Sequence, residues 1–173
     1  MNETETLSPV LPGELQEAAW RLLQKASERE LMLATAESCT GGLLASLLTD
    51  IPGCSHAFER GFVVYTDAAK HELLGVPPSI LDIEGAVSEA AALALAQGAL
   101  DRSRADVVAA ITGFTDAGPS PEEEAGLVHF ASARRGSSPR HRRMRFGDIG
   151  RARVRQAALE TALRMMREDI LAI

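Results

Sequence analysis

Residues 31–48 read LMLATAESCTGGLLASLL, a short apolar run followed directly by Ser, Cys, Thr and two glycines. The apolar run at 31–36 predicts a buried strand, and Gly41–Leu48 predicts the helix that follows it. The N-terminus of a helix presents backbone N–H groups without partners, so anions and nucleophilic side chains are often held at such a junction. The stretch therefore predicts a strand–turn–helix unit whose turn is a candidate functional site.

The composition is that of a folded domain. With 173 residues, 46% of them hydrophobic, we expect a loose tail at 1–12 and one domain at 13–173. The formal net charge of −6 gives no reason to expect nucleic-acid binding by the whole chain. No membrane-spanning run and no secretion signal are visible, so we expect a cytoplasmic protein. Cys39 and Cys54 are too few for a disulfide framework or a zinc site.

Strands alternate with helices along the rest of the chain. The apolar patterns predict helices at 14–29, 67–74, 88–101 and 151–171, and strands at 62–65, 106–112, 127–132 and, as an edge strand, 140–146. Asp67 and Ser88 are candidate N-caps, and Gly75 is a candidate C-cap. This order predicts an α/β domain, a three-layer α/β/α sandwich with a mixed central sheet.

Ser38 and Thr40 lie in the predicted turn between the first strand and its helix. Glycines there let the backbone approach a ligand, and a serine could attack a carbonyl while N–H groups hold the oxyanion. The alternative is that one of the two hydroxyls only caps the helix, and the pattern alone favours the cap. No G-x-S-x-G motif is present, so the nucleophile elbow of α/β-hydrolases is not indicated.

Lys70 is a candidate general base. It is one of two lysines in a chain with 16 arginines, and a position that needs a removable proton cannot be arginine. Near a helix N-terminus the pKa of a lysine falls, although an ionised Asp67 nearby would raise it. Tyr65 lies just upstream, at the predicted strand end. An exposed surface lysine is the alternative, and spacing alone favours it.

Two further segments are candidates for binding. Residues 110–119, AITGFTDAGP, follow a predicted strand, and loops at strand ends of an α/β sheet cluster around one crevice. Residues 134–155 hold nine arginines and one acid, Asp148. They predict either an anion or nucleic-acid surface or, as we favour for most of them, arginines paired with the acidic remainder of the chain. Arg151 is a candidate partner for a ligand phosphate.

Several segments in this order and spacing resemble a known family. AESCTGGLLASLLTDIPGCSHAFERGFVVYTDAAKHELLGV, EGAVSEAAALALAQGAL, ITG and AGLVHFA are similar to the C-terminal domain of competence/damage-inducible CinA proteins. The resemblance covers residues 13–170, and we expect a protein without that family's separate N-terminal domain. The family includes nicotinamide-nucleotide amidases, which deamidate nicotinamide mononucleotide. The resemblance implies an α/β/α fold and a Ser–Lys mechanism without metal or cofactor.

Carried over to this chain, the resemblance places the nucleophile on Ser38 and the base on Lys70. The partner it implies is a small-molecule nucleotide, with no nucleic acid and no membrane, and a homo-oligomer is common among similar proteins. We expect backbone N–H groups around Cys39–Gly42 to hold the oxyanion, and Thr112, Gly113 and Arg151 to meet the phosphate. The expected substrate-binding residues are thus Cys39, Thr40, Gly41, Gly42, Tyr65, Thr112, Gly113 and Arg151.

Two departures from the family pattern bear on function. The family usually has TGIAGPGGG-type sequence where this chain has TGFTDAGPSPEEEAG, so that Phe114, Thr115 and Asp116 replace small residues. Asp116 would repel a phosphate if it faced the site. Asp67 stands where the family usually has Asn. An alternative function is therefore a non-catalytic member that binds a nucleotide or a protein partner.

Overall fold

The structure is a computed structural model that describes residues 11–118, 120 and 123–173. Residues 1–10 of the predicted tail lie outside the described residues. The described strands are β1 (Leu33–Glu37), β2 (Phe58–Val63), β3 (Val107–Gly113), β4 (Leu127–Arg134) and β5 (Arg140–Arg145). The described α-helices are α1 (Gly13–Glu28), α2 (Leu43–Asp50), α3 (Asp67–Leu74), α4 (Pro78–Ile83), α5 (Glu89–Asp101) and α6 (Arg151–Leu171), with a short 3-10 helix at Ser55–Ala57.

The five strands form one mixed sheet in the order β2-β1-β3-β4-β5. Strand β1 runs parallel to β2 on one side and to β3 on the other, whereas β4 is antiparallel to both β3 and β5. Because β1, β2 and β3 run in the same direction, their carboxyl ends lie at one edge of the sheet. The segments that follow these three strands are therefore brought together, which is where ligands bind in α/β sheets.

Helices cover both faces of the sheet. Strand β1 is buried along its whole length and β3 along nearly all of it, and apart from Thr35 and Glu37 in β1 and Thr112 in β3 their residues are apolar or glycine. Alternate residues of a strand point to opposite faces. In β3, Val107 and Ile111 join the core under α1, α2 and α6, whereas Val108 joins the core under α3, α4 and α5. This confirms the predicted three-layer α/β/α sandwich with a mixed sheet.

The second strand differs from its prediction. A strand at 62–65 is wrong in its bounds, because β2 spans Phe58–Val63 and Tyr65 lies beyond its end. The strand includes Glu59 and Arg60, which an apolar pattern does not select. Strand β2 lies at the edge of the sheet, and an edge strand accepts charged side chains because one of its sides is unpaired.

The N-cap of α3 also differs from its prediction. The cap is Thr66, whose hydroxyl accepts a hydrogen bond from the N–H of Ala69 at 3.1 Å. Asp67 is instead the first helical residue, where a carboxylate still interacts favourably with the helix dipole. The predicted C-cap Gly75, with φ 69°, and the predicted N-cap Ser88 are both confirmed.

Two helices were not fully predicted from the apolar pattern. Helix α2 begins at Leu43 rather than at residue 41, because Gly41 and Gly42 have positive φ and cannot be part of it. Helix α4 was missed, since its six residues are too few to show a helical period. Its first residue is Pro78, a residue favoured at that position.

Helix α5 packs tightly against the C-terminal end of α3. A Cβ atom at Gly98 would lie 2.0 Å from the carbonyl oxygen of Leu74, so no larger residue fits there without moving a helix. Leu74 itself is buried. The contact holds α3, the helix that carries Lys70, against the layer of α5.

Candidate active site

Ser38 directly follows β1 and is held against β3. Its N–H donates to the carbonyl of Ile111 at 3.0 Å, and its own carbonyl accepts the N–H of Gly41 at 3.1 Å. Gly41 and Gly42 have φ values of 62° and 89°, a conformation that side chains with a Cβ rarely adopt. The two glycines thus turn the chain into α2 and leave Ser38 at the sheet edge.

The N-terminus of α2 is occupied by the buried carboxylate of Glu37. That carboxylate accepts hydrogen bonds from three backbone N–H groups and one hydroxyl, those of Gly42, Leu44, Ala45 and Thr35, over 2.8–3.2 Å. The first turn of α2 is therefore not available to a substrate anion. Sequence reasoning missed Glu37, although a glutamate that ends an apolar strand just before a helix start was a usable signal.

Removing the charge of Glu37 is expected to destabilise the fold. A glutamine amide would turn its NH2 group towards N–H groups of α2, so Glu37→Gln should lower the free energy of unfolding by about 2–4 kcal/mol. Urea unfolding at constant m-value measures the change. The matched control is the exposed Glu84, whose change to glutamine should cost less than about 0.5 kcal/mol. Equal effects of the two substitutions would contradict this role of Glu37.

Lys70 is a buried amine, not the exposed lysine that spacing alone favoured. It is the fourth residue of α3 and is 1% exposed. Its Nζ donates to the carbonyl of Tyr65 at 2.8 Å and lies 3.6 Å from a carboxylate oxygen of Asp67. Desolvation lowers the pKa of Lys70 below its ordinary value, and the charge and hydrogen bond of Asp67 oppose that shift. The lowered pKa raises the fraction of neutral amine near neutral pH.

Ser38 and Lys70 line the same cavity, which has a volume of about 290 Å³. Its wall also contains the ends of the neighbouring segments, among them Cys39, Tyr65, Thr112, Gly113, Phe114, Thr115, Asp116 and Arg151. Thr40, Gly41 and Gly42 do not form part of that wall. Among the described residues, no hydrogen bond joins Ser38 Oγ to Lys70 Nζ.

The N–H groups of the turn differ in their availability. Those of Gly41 and Gly42 donate to the Ser38 carbonyl and the Glu37 carboxylate, respectively. Those of Cys39 and Thr40 donate to no other described residue. Two of the four expected oxyanion donors therefore remain, and only Cys39 lies in the cavity wall.

The end of β3 supplies the opposite side of the cavity. The buried hydroxyl of Thr112 donates to the carbonyl of Ala86 at 2.7 Å, which joins β3 to the segment before α5. A Cβ atom at Gly113 would lie 2.8 Å from the carbonyl oxygen of Leu127, so β4 leaves room only for glycine. These contacts fix the position at which the 114–118 segment enters the cavity wall.

The sequence matches a known protein family. A family model described as the CinA C-terminal domain matches residues 15–170. The chain belongs to the CinA family. A CinA-like protein of Akkermansia muciniphila is 50% identical over 115 residues, 66% of this chain and 28% of that protein. A CinA-like protein of Syntrophobacter fumaroxidans is 39% identical over 166 residues, 94% of this chain and 35% of that protein.

Solved structures agree with the CinA assignment. The competence/damage inducible protein CihA from Agrobacterium tumefaciens has a TM-score of 0.88 and 47% identity, with 91% of this chain and 96% of that chain covered. The competence damage-inducible protein A (ComA) from Klebsiella pneumoniae has a TM-score of 0.85 and 31% identity, with coverages of 91% and 97%. The chain spans about a third of the length of the curated CinA relatives that it matches.

The thiol beside the candidate nucleophile of this CinA domain is not activated. Burial raises the pKa of Cys39 to about 11, and the charge of Glu37 contributes in the same direction. A thiol with that pKa is protonated at neutral pH, and the thiolate is the nucleophilic form. Ser38, not Cys39, is therefore the candidate nucleophile of the turn.

The loop that departs from the CinA pattern faces the cavity. Arg151 donates to the hydroxyl of Thr115 at 2.6 Å and to the carboxylate of Asp116 at 2.7 Å, and Thr115 donates in turn to Asp116. The hydrogen bond from Arg151 lowers the pKa of Asp116. Hydrogen bonds to Asp116 and then to Tyr65 raise the pKa of Arg151. The candidate phosphate partner is thus already paired with a carboxylate.

Most of the arginines at 134–155 have partners within the CinA domain. Four of them pair with carboxylates: Arg140 with Glu168 and Asp169, Arg142 with Glu168, Arg145 with Glu124, and Arg151 with Asp116. Two others donate to backbone carbonyls: Arg135 to Leu100 and Ser103, and Arg155 to Thr40. The favoured interpretation, in which arginines pair with the acidic remainder of the chain, therefore holds for four of the nine arginines.

Arg155 is a site residue that sequence reasoning missed. Its guanidinium donates to the carbonyl of Thr40 at 2.5 Å and so stabilises the turn that follows Ser38. The sequence separation of 115 residues carries no local signal for this contact. Thr40 itself is fully buried, and its hydroxyl has no hydrogen-bond partner among the described residues.

Neither a metal-binding group of side chains nor a membrane-spanning helix is found in the described part of the CinA domain. Within residues 11–118, 120 and 123–173, no three His, Cys, Asp or Glu side chains are grouped so that they could hold a metal ion. Over the same ranges, no helix is long and apolar enough to cross a membrane.

Proposed function

We propose that this CinA domain is an amidohydrolase that deamidates nicotinamide mononucleotide to nicotinate mononucleotide and ammonia by a Ser–Lys mechanism. The observation that carries the proposal is a buried lysine of lowered pKa that lines one cavity with a serine, beside backbone N–H groups of Cys39 and Thr40 that donate to no other described residue. A lysine base must be neutral to accept a proton, and desolvation favours that state.

The reaction follows from these groups in two halves. Neutral Lys70 accepts the hydroxyl proton of Ser38 while Ser38 Oγ forms a bond to the carboxamide carbon. The N–H of Cys39 stabilises the oxyanion that develops. The C–N bond then breaks, and protonated Lys70 donates its proton to the departing nitrogen, which leaves as ammonia. Water attacks the acyl-enzyme, Lys70 again moves the proton, and Ser38 is regenerated with the carboxylate product.

The mechanism requires a hydrogen bond between Ser38 Oγ and Lys70 Nζ when substrate is bound. Catalytic hydrogen bonds are often long or unformed without substrate, and we expect this one to form when substrate binds. The amine now donates to the Tyr65 carbonyl, and a reorientation towards Ser38 is needed to complete the pair.

Ammonia release tests the proposal directly. The purified chain is incubated with nicotinamide mononucleotide, and ammonia and nicotinate mononucleotide are measured together. Equal amounts of the two products support the proposal. The alternative is a non-catalytic member that binds a nucleotide or a protein partner, and the Asp116–Arg151 pair in the cavity favours it. Calorimetry that shows binding of the nucleotide without turnover would support that alternative.

The pH dependence of activity should report on Lys70. Because the base must lose its proton, kcat/KM is expected to rise with pH through the pKa of Lys70, which lies below the ordinary value of a lysine. Asp67 raises that pKa, so Asp67→Asn should move the rising limb to lower pH. Profiles of kcat/KM against pH measure the shift.

The control for this shift is Asp82→Asn. Asp82 is an exposed carboxylate on α4 that does not line the cavity, and its substitution changes the net charge by the same amount. Its profile should match that of the wild type. A limb that stays in place or moves to higher pH in Asp67→Asn would show that Lys70 is not the group observed.

A further inference from the structure

We propose that Asp116 is a built-in competitor for the phosphate group of the substrate at Arg151. The inference rests on the proposed function, because it concerns how the same cavity accepts a phosphorylated carboxamide. Asp116 thereby determines how strongly the site prefers the nucleotide over the corresponding nucleoside, which has no phosphate.

The carboxylate of Asp116 occupies the place on Arg151 that a phosphate oxygen would take. The guanidinium donates to Asp116 at 2.7 Å and to the Thr115 hydroxyl at 2.6 Å, and all three residues line the cavity. Arginine binds carboxylate and phosphate through the same planar donors, so the two anions compete for one partner.

The charges of the cavity wall make this competition unavoidable. Among the described residues that line the cavity, Lys70 and Arg151 are the basic ones, and Asp67 and Asp116 are the acidic ones. The proposed mechanism needs Lys70 neutral, which leaves Arg151 as the lasting cation. A phosphate that enters while Asp116 holds Arg151 meets a wall of net negative charge.

The exchange is sterically open. The side chains of Arg151 and Asp116 are 52% and 62% exposed, so the carboxylate can rotate towards the solvent when a phosphate displaces it. An exposed ion pair of this kind contributes little to stability, because water hydrates both charged groups when the pair is broken. Displacement of Asp116 therefore costs part of the affinity for the phosphate without any need to unfold the loop.

Steady-state kinetics with two substrates tests the competition. Nicotinamide mononucleotide and nicotinamide riboside are compared in the wild type, Asp116→Asn and the control Asp82→Asn at low ionic strength. Asp116→Asn should lower KM for the nucleotide by about fivefold, with kcat unchanged, and leave KM for the riboside within about twofold. The control should match the wild type for both substrates.

A second arm locates the effect at Arg151. In the background Arg151→Gln, the change Asp116→Asn should no longer lower KM for the nucleotide, because the contested cation is gone. The proposal is overturned if Asp116→Asn leaves KM for the nucleotide unchanged, raises it, or lowers KM for both substrates equally. The last result would mean that Asp116 acts on the whole cavity rather than on the phosphate.

Failure of the amidase function can be separated from failure of this inference. If neither substrate yields Ser38-dependent ammonia, the proposed function is wrong. Calorimetric titration of nicotinamide mononucleotide into Ser38→Ala, with and without Asp116→Asn, then tests the competition by affinity alone. Tighter binding with Asp116→Asn than without it supports the competitor role. Binding that is equal in the two proteins, weaker with Asp116→Asn, or undetectable in both overturns it.

Discussion

Ser38→Ala is expected to abolish ammonia release from nicotinamide mononucleotide, with kcat reduced by about 10⁴-fold or more. The substitution removes the atom that bonds to the carboxamide carbon, and no other activated nucleophile lies in the turn, since burial holds the pKa of Cys39 at about 11. Ser38 is 8% exposed, and the substitution removes only one oxygen atom. Ammonia production under substrate saturation measures the loss.

The matched control is Ser46→Ala. Ser46 is exposed on α2 and does not line the cavity, so the same chemical change should leave kcat within about twofold. Thermal unfolding of both variants shows whether the fold is retained. Activity that persists in a folded Ser38→Ala protein would exclude Ser38 as the nucleophile and would require another catalytic mechanism.

The fold was predictable because its central elements are locally consistent. Strands β1 and β3 are buried on both faces and therefore appear in the sequence as mostly apolar segments between helical patterns. The edge strand β2 was misplaced because its outer side meets solvent, so its pattern mixes apolar and charged residues. Helix α4 was missed because six residues are less than two turns.

The candidate site was only partly predictable, for a different physical reason. Ser38 and Lys70 became candidates from a turn with two glycines, a lone lysine near a helix start and the resemblance to CinA proteins, although the local pattern alone favoured a helix cap and an exposed lysine. The positions of Glu37 and Arg155 were not anticipated, because their roles depend on which backbone groups are left without partners after folding. Asp116 was noticed in the sequence, but its pairing with Arg151 could be seen only in three dimensions.

Lys70→Arg is expected to lower kcat by about 10²–10⁴-fold, the range that general acid–base groups contribute. Arginine keeps the positive charge but does not lose its proton in proteins, so it cannot take the proton of Ser38. Lys70→Met should lose activity to a similar degree while it removes a desolvated amine from a buried position, so its fold should be retained. Lys25→Arg is the control, because Lys25 pairs with Glu28 at the surface of α1.

Chemical rescue distinguishes a base from a merely structural lysine. In Lys70→Ala, small primary amines added to the solution are expected to restore part of the ammonia release by entering the space that the side chain leaves. The rescued rate should follow the concentration of the neutral amine, so for a given amine it should rise with pH through that amine's own pKa. Rescue that follows the protonated form would assign Lys70 an electrostatic role only. Full activity in Lys70→Arg would remove the general base from the mechanism, because a permanently charged side chain would then do as well.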